Sequence, residues 1–169
     1  MSTGSSYLYG FMALEENFLP IWKRFLEMEI MRSQHCLRVA GSANAYLVLQ
    51  VICWHQLLLV SDDLEDPSYD ATIEGWTALS HAPAGKGKKL TYALIAELTG
   101  LDKETVRRNV MALAARGFVT ADRKRGVMYA PTEERNNQIV NELNVTERRL
   151  VMQFAQTFAQ YGDMSKMKG

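Results

Sequence analysis

Between Thr91 and Thr132 the chain changes its hydrophobic period once, and that change restricts the fold more than any other feature. The stretch reads TYALIAELTGLDKETVRRNVMALAARGFVTADRKRGVMYAPT. Up to Arg116 its apolar residues recur at helical spacing. After Gly117, Phe118-Val119-Thr120 and Val127-Met128-Tyr129 have the β-branched and aromatic content of short strands. Thr91 is placed to cap a helix to about Leu98, and Thr99-Gly100-Leu101 makes a turn in which glycine takes a left-handed conformation without a Cβ penalty. Asp102 caps a second helix, whose Val106, Val110 and Leu113 fall at i, i+4 and i+7 and turn inward. Asp122-Arg-Lys-Arg-Gly126 then forms the tip of a β-hairpin, with Gly126 supplying the turn.

With Val106 as the buried direction and a rotation of roughly 100° per residue, Glu104, Arg108 and Met111 point outward, flanked by Thr105 and Arg107. An outward face with two arginines in the first half of the second helix suits the major groove of DNA, where arginine pairs with guanine through two hydrogen bonds. Lys103, Thr105, Arg107, Arg108 and Asn109 are the expected contacts from this helix. Glu104 is the awkward member, because it repels phosphates unless it accepts from cytosine or pairs with Arg108 four residues on. Arg123, Lys124 and Arg125 at the hairpin tip are placed to grip the adjoining backbone. The expected fold is therefore mainly α with a small β-hairpin wing: a winged helix-turn-helix over 88–131.

The charge pattern agrees with this. The 169 residues have a net charge of zero, but Lys86 to Arg125 holds ten Lys or Arg against four acids, leaving the rest of the chain at −6. Local charge, not the total, is what phosphates feel.

Around this region the chain divides into a leader over 1–14, N-terminal helices over 15–60, an acidic, turn-rich connection over 61–87, and C-terminal helices over 132–169. From Glu15 to Val39 the pattern is amphipathic, with Pro20 near its start and a break at Gly41-Ser42. Tyr46 to Val60 is apolar on nearly every face, the mark of a helix buried on most sides; at 15 residues with Gln50, His55 and Gln56 inside it, it is too short and polar for a bilayer. Thr72 to Leu79 is a candidate short helix. Thr132 caps a final pattern that runs to about Tyr161, with a break expected near Asn144 and Thr146 as a second cap. Leu143, Leu150, Phe154, Phe158 and Tyr161 form one apolar seam. Its bland use is packing against the chain's own N-terminal helix; its functional use is pairing two subunits as a homodimer.

Thr91 to Thr132 resembles the winged helix-turn-helix of bacterial regulators of the MarR (multiple antibiotic resistance regulator) type. The likeness covers about a quarter of the chain closely and the flanking helices only in layout, and the 61–87 connection is longer than such proteins usually carry. The resemblance implies a cytoplasmic transcriptional regulator that binds double-stranded DNA as a homodimer on a palindromic operator, held by N- and C-terminal dimerisation helices. The alternative is a winged-helix protein-interaction module without specific DNA binding. A small-molecule effector would need a cleft, for which Trp22, Tyr46, Trp54 and Trp76 are the aromatic candidates; each is first of all a core residue.

Other chemistries find no footing. Cys53 and His55 lie about 200° apart around a helix, and His35 and Cys36 diverge too, so no metal is expected. No nucleophile has a base and an orienter at a recognisable spacing, and Gly85-Lys-Gly-Lys-Lys89 lacks the form of a phosphate loop, so neither an enzyme nor a cofactor is expected. MSTGSS lacks the basic and apolar regions of a signal peptide, and two cysteines make no secreted disulfide framework.

Overall fold

A helix that is apolar on every side must find neighbours on several of them, and Ala43–Ser61 does so. In the computed structural model, which describes residues 14–62, 64–81 and 89–161, the elements in chain order are α1 (Phe18–Ala40), α2 (Ala43–Ser61), α3 (Tyr69–His81), α4 (Tyr92–Thr99), α5 (Lys103–Ala115), β1 (Val119–Asp122), β2 (Gly126–Tyr129), α6 (Glu133–Asn137), a π-helical turn (Gln138–Leu143) and α7 (Asn144–Tyr161). The protein is thus mainly helical with one two-stranded antiparallel sheet. It divides into two compact units, Leu37–Ile139 and a second made from the two chain ends, 1–36 with 140–169.

In the Leu37–Ile139 unit, α2 packs against α3, α4, α5 and β2. Ser42 caps it, its hydroxyl accepting from the Ala45 amide at 3.1 Å. Ala45, Val48, Leu49, Ile52 and Val60 are buried. Gln56, also buried, donates to the Ser80 hydroxyl at 3.3 Å and the Trp76 carbonyl at 3.5 Å, so its polar head has partners. Two sequence expectations need correction here. The apolar helix is 19 residues, long and apolar enough to cross a membrane by length and composition. It is also not buried on most sides, because Leu47, Trp54, Leu57 and Leu58 are exposed. The 61–87 connection is corrected too, since α3 occupies Tyr69–His81, longer than the Thr72–Leu79 expected. Residues 82–88, including Lys86 and Lys88, lie outside the described residues, as do most of the leader and Gly162.

The end of α1 is fastened by a residue far along the chain. Arg116, just past α5, donates from Nη2 to the Val39 carbonyl at 2.6 Å and from Nη1 to the Ala40 carbonyl. A cation that fills the orphan carbonyls of a helix C-terminus gains both hydrogen bonds and the favourable end of the helix dipole. Gly41 makes room for it: its φ is +91°, and a Cβ there would lie 2.6 Å from Arg116 Nη1. The same guanidinium lies 5.5 Å from the centre of the Phe118 ring, and Arg135 lies 5.4 Å from that ring while its Nε donates to the Arg116 carbonyl at 3.1 Å. Phe118 is fully buried between them.

In the other unit, α1 and α7 run antiparallel. Asn17 Nδ2 donates to the Tyr161 carbonyl at 3.3 Å, Arg24 to Gln153 at 3.0 Å, and Arg32 pairs with Glu147 at 2.7 Å. Phe18, Trp22, Phe25, Phe154 and Phe158 form a run of neighbouring rings, the helix-to-helix step being Phe25 on Phe154 at 5.8 Å. The seam expected to pair subunits is thus committed in part inside the chain: Leu143 and Leu150 are buried and Phe154 faces α1, whereas Tyr161 stays exposed. The reason is that α1 offers Phe18, Trp22 and Phe25 at matching helical spacing. Nor does the chain break at Asn144; a π-helical turn over Gln138–Leu143 carries α6 into α7, and Thr146 caps nothing. Cys36 and Cys53 are not joined in a disulfide.

Arg116→Ala should lower stability by about 1.5–3 kcal/mol, the range for hydrogen bonds made by a charged group, and Arg116→Lys should recover little of it because lysine lacks the fork. Urea unfolding of the two variants checks both expectations.

Candidate nucleic-acid interface

The local chemistry of 90–130 places one face of α5 outward and locks the other in. Thr91 accepts the Leu94 amide at 3.2 Å, capping α4, and Gly100 ends it at φ +72°. Asp102 accepts the Thr105 amide at 2.8 Å, capping α5. Val106, Val110 and Leu113 are fully buried, which contributes about 1.5–3 kcal/mol for each large side chain relative to exposure. Lys103, Glu104, Arg107, Arg108 and Met111 on the opposite face are exposed, while Thr105 and Asn109 are half-buried.

Hydrogen bonds along this face tie its side chains to one another. Glu104 pairs with Arg107, not with Arg108 as the i+4 spacing suggested: its two oxygens accept from Nε at 2.8 Å and Nη2 at 2.7 Å. The three-residue offset wins because it lets the carboxylate meet the side edge of the guanidinium with both oxygens. Hydrogen bonding to Arg107 holds the Glu104 carboxyl below the usual range and in return raises Arg107. Arg108 Nη2 donates to the Thr105 hydroxyl at 3.2 Å, and Asn109 Nδ2 to the Thr105 carbonyl at 2.8 Å.

The hairpin follows directly. β1 and β2 pair from Val119 opposite Tyr129 to Asp122 opposite Gly126. The Asp122 carboxylate accepts the Lys124 and Arg125 amides, both at 2.7 Å, closing the tip so that Arg123 and Lys124 stand out. Gly126, at φ +80°, passes so near Leu90 that a Cβ would lie 2.5 Å from its carbonyl oxygen, which accepts the Val127 amide at 2.8 Å. Tyr129 is fully buried, its ring 4.9 Å from Trp76, and burial pushes its phenol well above the ordinary value. A groove of about 400 Å³ runs between Lys89–Tyr92 and the hairpin, with Lys89 and Arg123 at its sides.

Among the described residues Lys103, Arg123 and Lys124 have no ion-pair partner. Arg125 is half-buried, and Arg116, counted among the basic residues of this region, is used internally. The structure thus brings Lys103 to Asn109 onto one helix, with Arg123 to Arg125 on the hairpin that follows. Of the aromatics named as cleft candidates, Trp22 lies among Phe18 and Phe25 in one unit, and in the other Trp76 packs on Tyr129 and Trp54 is half exposed. No family model, curated protein or solved structure matches the chain.

Both capping aspartates have depressed pKa values, Asp102 chiefly from hydrogen bonding by Thr105 and Asp122 chiefly from the Arg125 amide. A carboxylate lowered by folding contributes stability that is full above its ordinary 3.8 and is lost as the pH falls through the folded value. The protection of the Thr105, Lys124 and Arg125 amides relative to their intrinsic exchange rates should accordingly stay constant on acidification until below 3.8 and then fall, and Asp102→Asn should remove that dependence at Thr105 alone.

Proposed function

We propose that this chain is a sequence-specific, double-stranded DNA-binding transcriptional regulator of the MarR-like type, built around a winged helix-turn-helix. The observation that carries the reading is the pairing of a rigidly seated helix, its exposed face bearing Lys103, Arg107 and Arg108, with a hairpin tip bearing Arg123 and Lys124, cations with no ion-pair partner among the described residues. In this reading α4 and α5 are the two helices of the motif and α5 enters the major groove. Arg107 and Arg108 meet base edges, while the hairpin holds the neighbouring phosphates.

The regulator acts as a homodimer. Leu19, Leu26 and Ile30 form an exposed stripe on α1, and Val151 and Met152 are exposed on α7, so the helices at the chain ends keep apolar surface after packing on each other. Two copies with recognition helices roughly one DNA turn, 34 Å, apart call for a palindromic operator.

Selection of bound sequences from a random double-stranded pool at about 150 mM salt tests the reading, since salt suppresses purely phosphate-driven binding. An enriched palindrome is the expected result. A folded protein that enriches nothing would move the assignment to a protein-interaction module. Removing Arg123 and Lys124 together should weaken binding to all sequences alike and reduce the slope of log affinity against log salt by about two, as measured by a salt titration.

A further inference from the structure

The Glu104–Arg107 pair carries a more specific assignment, which rests on the DNA-binding reading. Glu104 grips Arg107 from the side: Nε donates to one carboxylate oxygen at 2.8 Å and Nη2 to the other at 2.7 Å. That occupies one edge of the planar guanidinium. The end-on edge, formed by Nη1 and the second proton of Nη2, has no partner among the described residues. Both side chains are more than half exposed, at 52% and 59%.

An arginine that reads a base must give up the freedom of a long side chain, and one already held by a neighbour loses less on binding. The end-on edge of a guanidinium matches the O6 and N7 acceptors of guanine in the major groove. From this geometry we infer that Glu104 is a positioning residue that presents the end-on fork of Arg107 to a guanine, and that Arg107 determines specificity at one base pair of each half-site. Arg108 is held by one 3.2 Å bond to Thr105 and lacks such a brace. The same carboxylate repels phosphates, so it weakens binding to every sequence and leaves a net gain only where guanine meets the fork. The residue that looked out of place on a DNA-facing helix thereby becomes the source of discrimination.

The test uses the full chain with Glu104→Ala, Glu104→Gln, Arg107→Ala and Arg107→Lys, each selected against the same pool of double-stranded oligonucleotides with a randomised core. Circular dichroism verifies the fold of each variant. The wild type should enrich guanine at a position whose preference Arg107→Ala abolishes, a loss of about 5- to 150-fold, which Arg107→Lys does not restore. Glu104→Ala should reduce the guanine preference at that same position while tightening binding to a fixed unrelated duplex. Glu104→Gln, which keeps one acceptor, should fall between. The inference is overturned if Glu104→Ala leaves that guanine preference intact, or abolishes a cytosine preference at another position instead, since Glu104 would then be an idle surface charge or a direct reader. A wild type that enriches nothing defeats the DNA-binding reading and this inference together. Enrichment that is indifferent to Glu104 defeats the pair's role alone.

Discussion

Arg116 ties the end of α1 to the residues that follow α5 within the Leu37–Ile139 unit. It follows α5 directly, terminates α1 by donating to the Val39 and Ala40 carbonyls, covers one side of Phe118, and has its own carbonyl bound by Arg135. Three stretches of chain, around 39–41, 116–118 and 135, thus meet at this one residue. Its planar fork suits the task, since a helix end offers several carbonyls at once and an ammonium could not span two of them in a fixed geometry. Gly41 and Phe118 look unremarkable alone, but one leaves the space for that fork and the other supplies the ring it rests on.

This anchorage separates two kinds of positive charge within one basic stretch. Arg116 keeps its charge but spends its donors on backbone carbonyls and contributes to architecture. Lys103, Arg123 and Lys124 have no ionic partner among the described residues and remain open to phosphates. Arg107 is in between, held by Glu104 through two of its five N–H donors. A count of lysines and arginines makes no such distinction, which is why the net charge of the region overstates what it presents to a polyanion. The burial of Val106, Val110 and Leu113 gives the exposed face its definition, because a helix fixed on one side cannot roll to bring other residues forward.

The parts of this arrangement that were legible in the sequence are those governed by neighbours within a few residues. The caps at Thr91, Asp102 and Thr132, the left-handed Gly100, the inward Val106-Val110-Leu113 stripe and the hairpin turn at Asp122 to Gly126 depend on local chemistry and appear where expected. Arg116 was opaque because its partners lie 76 and 77 residues away. The partner of Glu104 is not legible either, because spacing alone does not separate i+4 from i+3, and only side-chain geometry shows that the two-oxygen contact favours Arg107 over the Arg108 alternative. The C-terminal seam was ambiguous for another reason: an apolar stripe records that something covers it but not whose helix does. The structure directs Phe154 to Phe25 of the same chain and leaves Leu19, Leu26 and Ile30 of α1 exposed.

The central claim is that the outer face of α5 and the hairpin tip form one DNA-contacting surface. The most direct measurement is amide chemical-shift mapping of the full chain during titration with double-stranded DNA carrying its selected sequence. The account predicts that the largest perturbations fall on 102–109 and 122–126 and diminish as salt rises. Perturbations centred instead on the exposed Leu47, Trp54 and Leu58 of α2, with α5 and the hairpin silent, would contradict it.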